Sequence, residues 1–137
     1  LAIREKVLGE DHIDTATSYN NIGLLMKGMG ELDDALVLYK KCLAIREKVL
    51  GEDHIDTATS YNNIGSLMHD MGKLDDALVL YKKCLAIREK VLGEDHIDTA
   101  TSYNNIGSLM EDMGQLDDAL VLYKKCLAIE EKVLGED

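Results

Sequence analysis

The chain has 137 residues, a formal net charge of −11, and no Pro, Trp or Phe. Because 46% of the residues are hydrophobic, the chain can bury a core, and its composition excludes an intrinsically disordered protein. No apolar run approaches the roughly 18 residues of a membrane helix, and the acidic excess excludes a nucleic-acid binder, which needs a basic face to neutralise phosphates.

The sequence repeats itself with a period of 42 residues. Residues 1–42 and 43–84 differ at four positions, and residues 43–84 and 85–126 differ at two. The last 11 residues begin the repeat again, with Glu130 at the position where the three earlier copies have Arg. Near-identical tandem units distribute the same side chains along a line, whereas an enzyme gathers different groups at one point. The repeat therefore indicates a solenoid and no enzyme.

Within each unit the hydrophobic residues recur at helical spacing, and no segment alternates with the period of two that is typical of strands. Tyr19, Ile22 and Met26 fall on one stripe of a first helix, helix A, expected over roughly residues 12–28. A second helix, helix B, is expected over roughly residues 31–50. The predicted fold class is all-α, an α-solenoid of antiparallel helix pairs. The predicted parts of this single array (1–137) are the end of a preceding helix B at 1–11 and units at 12–53, 54–95 and 96–137.

In each unit, two glycines and one aspartate are expected to mark the ends of the helices. Gly30 is expected at the end of helix A, and Gly51 with its repeat Gly93 at the end of helix B, in the left-handed conformation that suits the C′ position. Asp11 is the expected N-cap of helix A, and Asp53 repeats it in the next unit. These residues predict tight turns between successive helices.

The spacing of these residues resembles the tetratricopeptide repeat. That family places an aromatic residue and a Leu-Gly pair on helix A, then a turn Gly, an Ala, an aromatic and a small residue. The resemblance implies a right-handed superhelix that acts as a protein-interaction scaffold. The matching residues in the first unit are Tyr19, Ile22, Gly23, Gly30, Ala35 and Tyr39, with Met26 at the second aromatic position and Cys42 at the second small one.

The unit of 42 residues is longer than the common repeat of about 34 residues. The Pro that usually follows helix B is missing, so helix B can continue through Ala44 to Leu50 and gain up to about 12 Å at 1.5 Å per residue. This longer form is similar to the repeats of kinesin light chains, which carry comparable NN and GxDHxD segments.

The resemblance places the concave, ligand-facing groove on helix A. Three of the groove positions, 24, 27 and 28, are among the four that differ between the first two units. Such divergence fits specialisation for a ligand, and it also fits neutral drift, because exposed positions tolerate change at a cost of about 0.5 kcal/mol or less. The candidate groove residues are Asn20, Asn21, Leu24, Lys27, Asn62, Asn63, Ser66, His69, Asp70, Asn104, Asn105, Ser108, Glu111 and Asp112.

The Asn residues that repeat Asn21 are the strongest binding candidates. A side-chain amide can both donate to and accept from the backbone of an extended peptide, a role that the resemblance implies for these positions. The family's carboxylate clamp needs a basic residue where this chain has Thr17, so recognition of a free peptide C-terminus is not expected. The groove becomes more acidic from Lys27 through His69 to Glu111. The expected partner is therefore a protein or peptide with basic residues.

The repeated His and Cys residues are interpreted as structural. His12 and its repeats are 42 residues apart, so they lie on successive units as polar helix starts and do not surround a metal ion. Cys42 and its repeats lie in the packed seam between helices about 10 Å apart, too far for a disulfide, which needs Cα atoms within about 7 Å. Buried free thiols favour an intracellular, cytoplasmic protein. No cofactor, metal or catalytic motif is expected.

The rival function is a structural array that associates with itself and binds no specific ligand. Solenoid units bury their faces against neighbouring units, and this chain has no polar capping helix of its own. The final helix B would present the surface that another helix A covers, so head-to-tail association of copies is expected. The residues predicted to take part are Leu1, Ile3, Tyr19, Ile22, Tyr123, Leu127, Val133 and Leu134.

Overall fold

The computed structural model describes residues 12–135, and six α-helices account for most of them. No strand occurs among these described residues, so the predicted all-α class is confirmed. The partial helix predicted at 1–11 lies outside the described residues, and the unit boundaries remain a prediction. In chain order the helices are α1 (Ile13–Gly28), α2 (Leu32–Leu50), α3 (Ile55–Asp70), α4 (Leu74–Leu92), α5 (Ile97–Asp112) and α6 (Leu116–Leu134).

Helices α1, α3 and α5 are the predicted helices A, and α2, α4 and α6 are the helices B. Each helix packs against its neighbours in the chain, more extensively within a pair, such as α3 with α4, than between pairs, such as α4 with α5. This nearest-neighbour packing is the arrangement of a helical solenoid. Across the part of the chain that is described, no helix combines the length and the apolar character needed to cross a bilayer.

One glycine in each unit allows helix A to approach helix B closely. At Gly65, an added Cβ would lie 2.8 Å from Cδ1 of Tyr81, so a side chain there would force the ring to move. The same close approach recurs at Gly23 and Gly107. The Gly of the predicted Leu-Gly motif therefore has a packing role, since it makes room for the aromatic residue of helix B.

Histidine, and not aspartate, caps the N-terminus of each helix A. The Nδ1 atom of His54 accepts a hydrogen bond of 3.0 Å from the backbone N–H of Asp56. Asp53, one residue earlier, instead accepts from Nζ of Lys90 on α4. The predicted capping by Asp was wrong at Asp53 and Asp95, because a ring nitrogen can accept from the N2 amide as a carboxylate does. Asp11 lies outside the described residues.

The glycine that follows helix A and the glycine that follows helix B both have positive φ angles, but their backbone conformations differ. Gly30 has a φ of +82°, the left-handed conformation predicted for it, and the N–H of Glu31 donates to the carbonyl of Met26 in a Schellman pattern. Gly51 has a φ of 91° but a ψ of 168°, so the left-handed helical conformation predicted there was wrong. The backbone is extended at this point because it leads away from helix B, and Thr57 Oγ1 donates to the Gly51 carbonyl at 2.8 Å.

The three cysteines are buried free thiols, as predicted. Cys42 Sγ lies 3.6 Å from Ser60 Oγ, and Cys84 Sγ lies 3.7 Å from Ser102 Oγ, so each thiol contacts the helix A of the following pair. Burial raises the pKa of the Cys84 thiol. Cys42 and Cys84 therefore belong to the packed boundary between one helix B and the next helix A.

Candidate peptide-binding strip and end faces

The candidate groove residues lie on α1, α3 and α5, and we call the surface that they form the helix A strip. Asparagine side chains link consecutive helices A within it. Asn63 Nδ2 donates to Asn20 Oδ1 at 3.0 Å, and Asn105 Nδ2 donates to Asn62 Oδ1 at 3.0 Å. We call these four residues the Asn ladder. The ladder aligns the three helices A at one register.

The Asn ladder retains hydrogen-bonding capacity. An Asn amide carries two N–H donors and an oxygen with two lone pairs, and the link to Asn20 uses one donor of Asn63. The remaining N–H and the oxygen of Asn63 are therefore available to a ligand, and its side chain is only half-buried. The inter-unit bond restricts the orientation of the amide, because exchanging the nitrogen and oxygen of Asn63 alone would break the bond.

Some side chains at three of the four positions that differ between units are paired across the unit boundaries. Lys27 Nζ donates to Ser66 Oγ at 3.0 Å and lies 3.5 Å from Asp70 Oδ2. His69 Nε2 makes the corresponding contact with Asp112 Oδ2. These residues were predicted to face a ligand, and their pairing with one another was not predicted. A complementary pair separated by 43 residues, such as Lys27 with Asp70, is the signal that could have revealed it.

The third unit makes the strip acidic. Glu111 and Asp112 are exposed, and Glu111 accepts a hydrogen bond from the Tyr123 hydroxyl, which raises the pKa of that tyrosine. Thr59 and Thr101, which repeat Thr17, are neutral and donate their hydroxyls to carbonyls of their own helices. The acidic patch therefore suits a cationic group.

Each boundary between helix B and the next helix A is held by the same polar contacts. Arg88 Nη1 donates to Ser102 Oγ at 2.8 Å and to the Asp98 carbonyl at 3.3 Å. Arg46 makes the equivalent bonds to the following pair at 2.8 and 3.3 Å. Arg88 is only 9% exposed. A nearby tyrosine, Tyr103, donates to a carboxylate of the preceding helix B at 2.7 Å.

The outer face of α1 exposes side chains that are buried at the inner boundaries. Leu25 is 65% exposed, whereas the equivalent Leu67 and Leu109 are 0% exposed. Of the residues predicted for self-association on this side, Tyr19 is buried within its own helix pair and Ile22 is half-buried. Leu1 and Ile3 lie outside the described residues. The apolar part of this face is therefore formed by Leu25 and not by the Tyr19 ring.

The outer face of α6 is apolar as well. Leu116, Leu120, Leu127 and Leu134 are exposed, whereas their equivalents in α2 and α4 are half-buried. Tyr123, also predicted for self-association, is half-buried. The exposure of the predicted residue Val133 carries no information about this face.

Val133 cannot identify an uncovered face, because its equivalents in the other units are exposed as well. Val133 is 46% exposed, but its equivalents Val49 and Val91 are exposed to a similar extent although a further unit follows them.

Within residues 12–135, no three His, Cys, Asp or Glu residues come together in a cluster that could hold a metal ion.

A family model described as tetratricopeptide repeat matches residues 1–48, 26–90 and 56–132. No curated protein matches the chain significantly. Among solved structures, the chain is similar to BtubC from P. vanneervenii, with a TM-score of 0.90 and 23% identity over 99% of this chain and 54% of that one. It is also similar to a putative kinesin light chain with nearly identical TPR-like repeats from Podosopora anserina, with a TM-score of 0.84 and 24% identity over 98% of this chain and 64% of that one.

MamA is a third similar structure, with a TM-score of 0.66 and 25% identity over 85% of this chain and 59% of that one. The chain therefore spans between about half and two thirds of the length of these structures. The first two likenesses show the fold. They agree with the resemblance to kinesin light chain repeats that the 42-residue unit indicates.

Proposed function

The chain belongs to the tetratricopeptide repeat family, and on that basis we propose that it binds an extended peptide with basic residues along the helix A strip. The fold is generally a protein-interaction scaffold and is typically non-enzymatic. The observation that carries the proposal is the Asn ladder, which holds Asn63 and Asn105 in fixed orientations with donors and acceptors left over.

An extended peptide presents backbone N–H and C=O groups along its length, and an oriented amide can satisfy one of each. The ladder offers such amides at corresponding points of α3 and α5. Hydrogen bonds to the peptide backbone would give affinity that depends little on sequence. Selectivity would then come from the side chains around the ladder.

The charges around the ladder favour a cationic ligand. Lys27 is engaged by Ser66 and Asp70, and Asp112 is engaged by His69, while Glu111 is exposed at the other end of the strip. A Lys or Arg side chain of a peptide would lie closest to favourable charge near Glu111. The contribution of such exposed pairs is small, about 0.2–1 kcal/mol each, so several basic residues are needed for a clear preference.

The test is a peptide array carrying random sequences of about 12 residues, long enough at about 3.3 Å per residue to follow all three helices A. Peptides retained by the protein should be enriched in Lys and Arg, and Asn63→Ala should weaken their binding about threefold to tenfold, the equivalent of one hydrogen bond. Asn20→Ala is the matched control, because it removes the same inter-unit bond and leaves the Asn63 amide in place. If both variants lose binding equally, the amide acts only through structure and the proposal fails.

A second candidate function is head-to-tail association of copies of this chain. It is favoured by the exposure of Leu25 on α1 and of Leu120 and Leu127 on α6, since the equivalent side chains meet at the inner boundaries. Sedimentation velocity over a hundredfold concentration range tests it. A single species of monomer mass at every concentration, together with peptide binding, would leave only the groove function.

A further inference from the structure

A cavity of about 280 Å³ lies where α4, α5 and α6 meet. Its lining is apolar except for Lys82 and Asp118. Helix α5 packs against both α4 and α6, so it forms the floor between them. The apolar residues of the lining are Leu85, Ile106, Met110, Val121 and Leu122. The cavity therefore has room for a large apolar side chain of a partner.

A second cavity, of about 250 Å³, lies further along α6. Helix α6 lines the first cavity with positions 118, 121 and 122 and the second with positions 125, 128 and 129. Consecutive lining positions are close to three or four residues apart, so they share one face of the helix. The antiparallel α5 contributes Ile106 to the first cavity and Tyr103 to the second. The two cavities are therefore the ends of one groove along residues 118–129, about 16 Å long at 1.5 Å per residue, which we call the B groove.

The B groove is distinct from the helix A strip, and its features recur in the preceding unit. Helix α5 turns Ile106 towards the groove and Asn105 towards the strip. A cavity of about 260 Å³ against Tyr61 repeats the second cavity. Val79, which repeats Val121, is 56% exposed, and Val121 is 55% exposed. The exposure of this valine therefore does not depend on α6 being the last helix that the structure describes.

The second cavity suits a cationic group. Two of its charged lining residues already have partners, since Lys125 lies 5.5 Å from the centre of the Tyr103 ring and Asp95 is paired with Lys132. Glu94 also lines this cavity and is exposed, and within residues 12–135 no basic side chain forms an ion pair with it. Burial, and then two nearby glutamates of which Glu94 is one, raise the pKa of Tyr103. This carboxylate is therefore close to the ring and available to a ligand.

We propose that the B groove is a second binding surface, which takes an amphipathic helix of a partner protein. An apolar side chain of that helix enters the cavity beside Val121, and a Lys or Arg side chain lies beside Glu94. The partner helix runs along α6, because both cavities lie on one face of α6. A distance of about 16 Å corresponds to about 11 residues, or three turns, of the partner helix.

The shape and chemistry of the groove favour a helix over an extended peptide. A groove between two helices accepts a third helix at the usual interaxial distance of about 8–10 Å. A helix bonds its own backbone N–H and C=O groups, whereas an extended peptide would bring unpaired ones into the apolar cavity. The inference does not rest on peptide binding by the helix A strip, which lies on another face.

The test uses two synthetic Ala-based peptides of about 18 residues, long enough for an isolated helix to form in part. Each carries two Leu residues in one turn and two Arg residues three turns away on the same face. The two peptides have these pairs in opposite order, because the groove accepts either helix direction. A control peptide has the same composition with its Arg residues on the opposite face. Fluorescence anisotropy should show saturable binding, at least about threefold tighter than that of the control.

A matched pair of variants locates the probe. Val79→Glu/Val121→Glu places a carboxylate in the apolar cavity and at its counterpart one unit earlier, and it should weaken binding at least about tenfold, because burying an unpaired charge is costly. Val49→Glu/Val91→Glu is the control, since these valines are 50% and 49% exposed and line neither cavity. The control should bind within about twofold of the natural chain. Circular dichroism checks that both variants are folded.

A second pair tests the cationic end of the groove. Glu52→Gln/Glu94→Gln should weaken binding of the Leu–Arg probe about threefold, the effect expected of exposed ion pairs. It should leave unchanged the binding of a probe in which Gln replaces both Arg residues. Equal losses with the two probes would show that Glu94 does not hold the cation, which would overturn that part of the inference.

Three results would overturn the B groove as a binding surface. The first is no saturable binding of either probe up to about 1 mM. The second is an equal loss in the two valine variants. The third is binding that Val79→Glu/Val121→Glu leaves unchanged and Asn63→Ala weakens, which would place the probe on the helix A strip and leave the proposed function standing.

Discussion

Helices α4 and α6 carry almost the same sequence but lie in different surroundings. The residues of α4 that face the following unit, Leu78 and Leu85, are half-buried, whereas Leu120 and Leu127 of α6 are exposed. Helices α1 and α3 differ in the same way at Leu25 and Leu67. The comparison shows that a residue's contribution in this protein depends on its neighbouring unit and not on its local sequence.

The largest effect on stability is expected at Leu67, which is buried although the equivalent Leu25 in the first unit is exposed. Leu67→Ala should lower the free energy of unfolding by about 2–5 kcal/mol, because it leaves a cavity in the core. Leu25→Ala, the same substitution at the equivalent exposed position, should cost about 0.5 kcal/mol or less. Urea unfolding followed by circular dichroism measures both, and equal losses would contradict the difference in burial.

A second, smaller effect is expected at the boundary arginine. Arg88→Ala should destabilise the chain by about 1.5–3 kcal/mol, since it removes charge-assisted hydrogen bonds to Ser102 and to the Asp98 carbonyl. Glu130→Ala should change the free energy of unfolding by less than about 0.5 kcal/mol, because Glu130 does not lie at a boundary between two of the described units. Chemical unfolding at a low protein concentration keeps association out of the comparison. A larger loss for Glu130→Ala than for Arg88→Ala would contradict the account.

The Asn ladder should contribute less than the arginine. Asn105→Ala removes a neutral hydrogen bond to Asn62 and should cost about 0.5–1.5 kcal/mol. Asn104→Ala is the neighbouring control, because Asn104 is exposed and makes no ladder bond within residues 12–135. Thermal unfolding of the two variants checks the difference. Equal midpoints would show that the ladder does not stabilise the stack.

The smallest effect is expected at the variable pair on the strip. Lys27→Ala should cost about 0.2–1 kcal/mol, because its partner Asp70 is half-exposed and solvent weakens their attraction. Raising the salt concentration to about 1 M should reduce the difference from the natural chain, as the Debye length falls to about 3 Å. A loss that does not change with salt would assign the effect to the bond with Ser66 instead.

Periodicity alone was sufficient to predict the helices and their order. The helix ends were predicted within one residue of the observed Ile13–Gly28 and Leu32–Leu50, because hydrophobic spacing and glycine mark them locally. The cap was predicted one residue too early, at Asp53 instead of His54, because either side chain can accept from a backbone amide. Only the position of Lys90 on the neighbouring helix shows that Asp53 is engaged elsewhere.

The contacts within the candidate strip were the least predictable. Asn20, Asn63 and the charged pairs were assigned to a ligand because each unit was considered separately. Their bonds join residues 43 positions apart and depend on how one unit is rotated against the next. Local sequence signals do not contain that rotation. The side chains at positions 27 and 28 therefore pair between units.

The central claim, that the Asn ladder binds a peptide backbone, is tested most directly by NMR. The side-chain amide resonances of Asn63 and Asn105 would be followed while a lysine-rich peptide selected from the array is added. The account predicts that these resonances shift with saturation, while the backbone resonance of Ala86, exposed on helix α4, stays in place. Shifts confined to helix B, with the Asn63 and Asn105 amides unchanged, would contradict it.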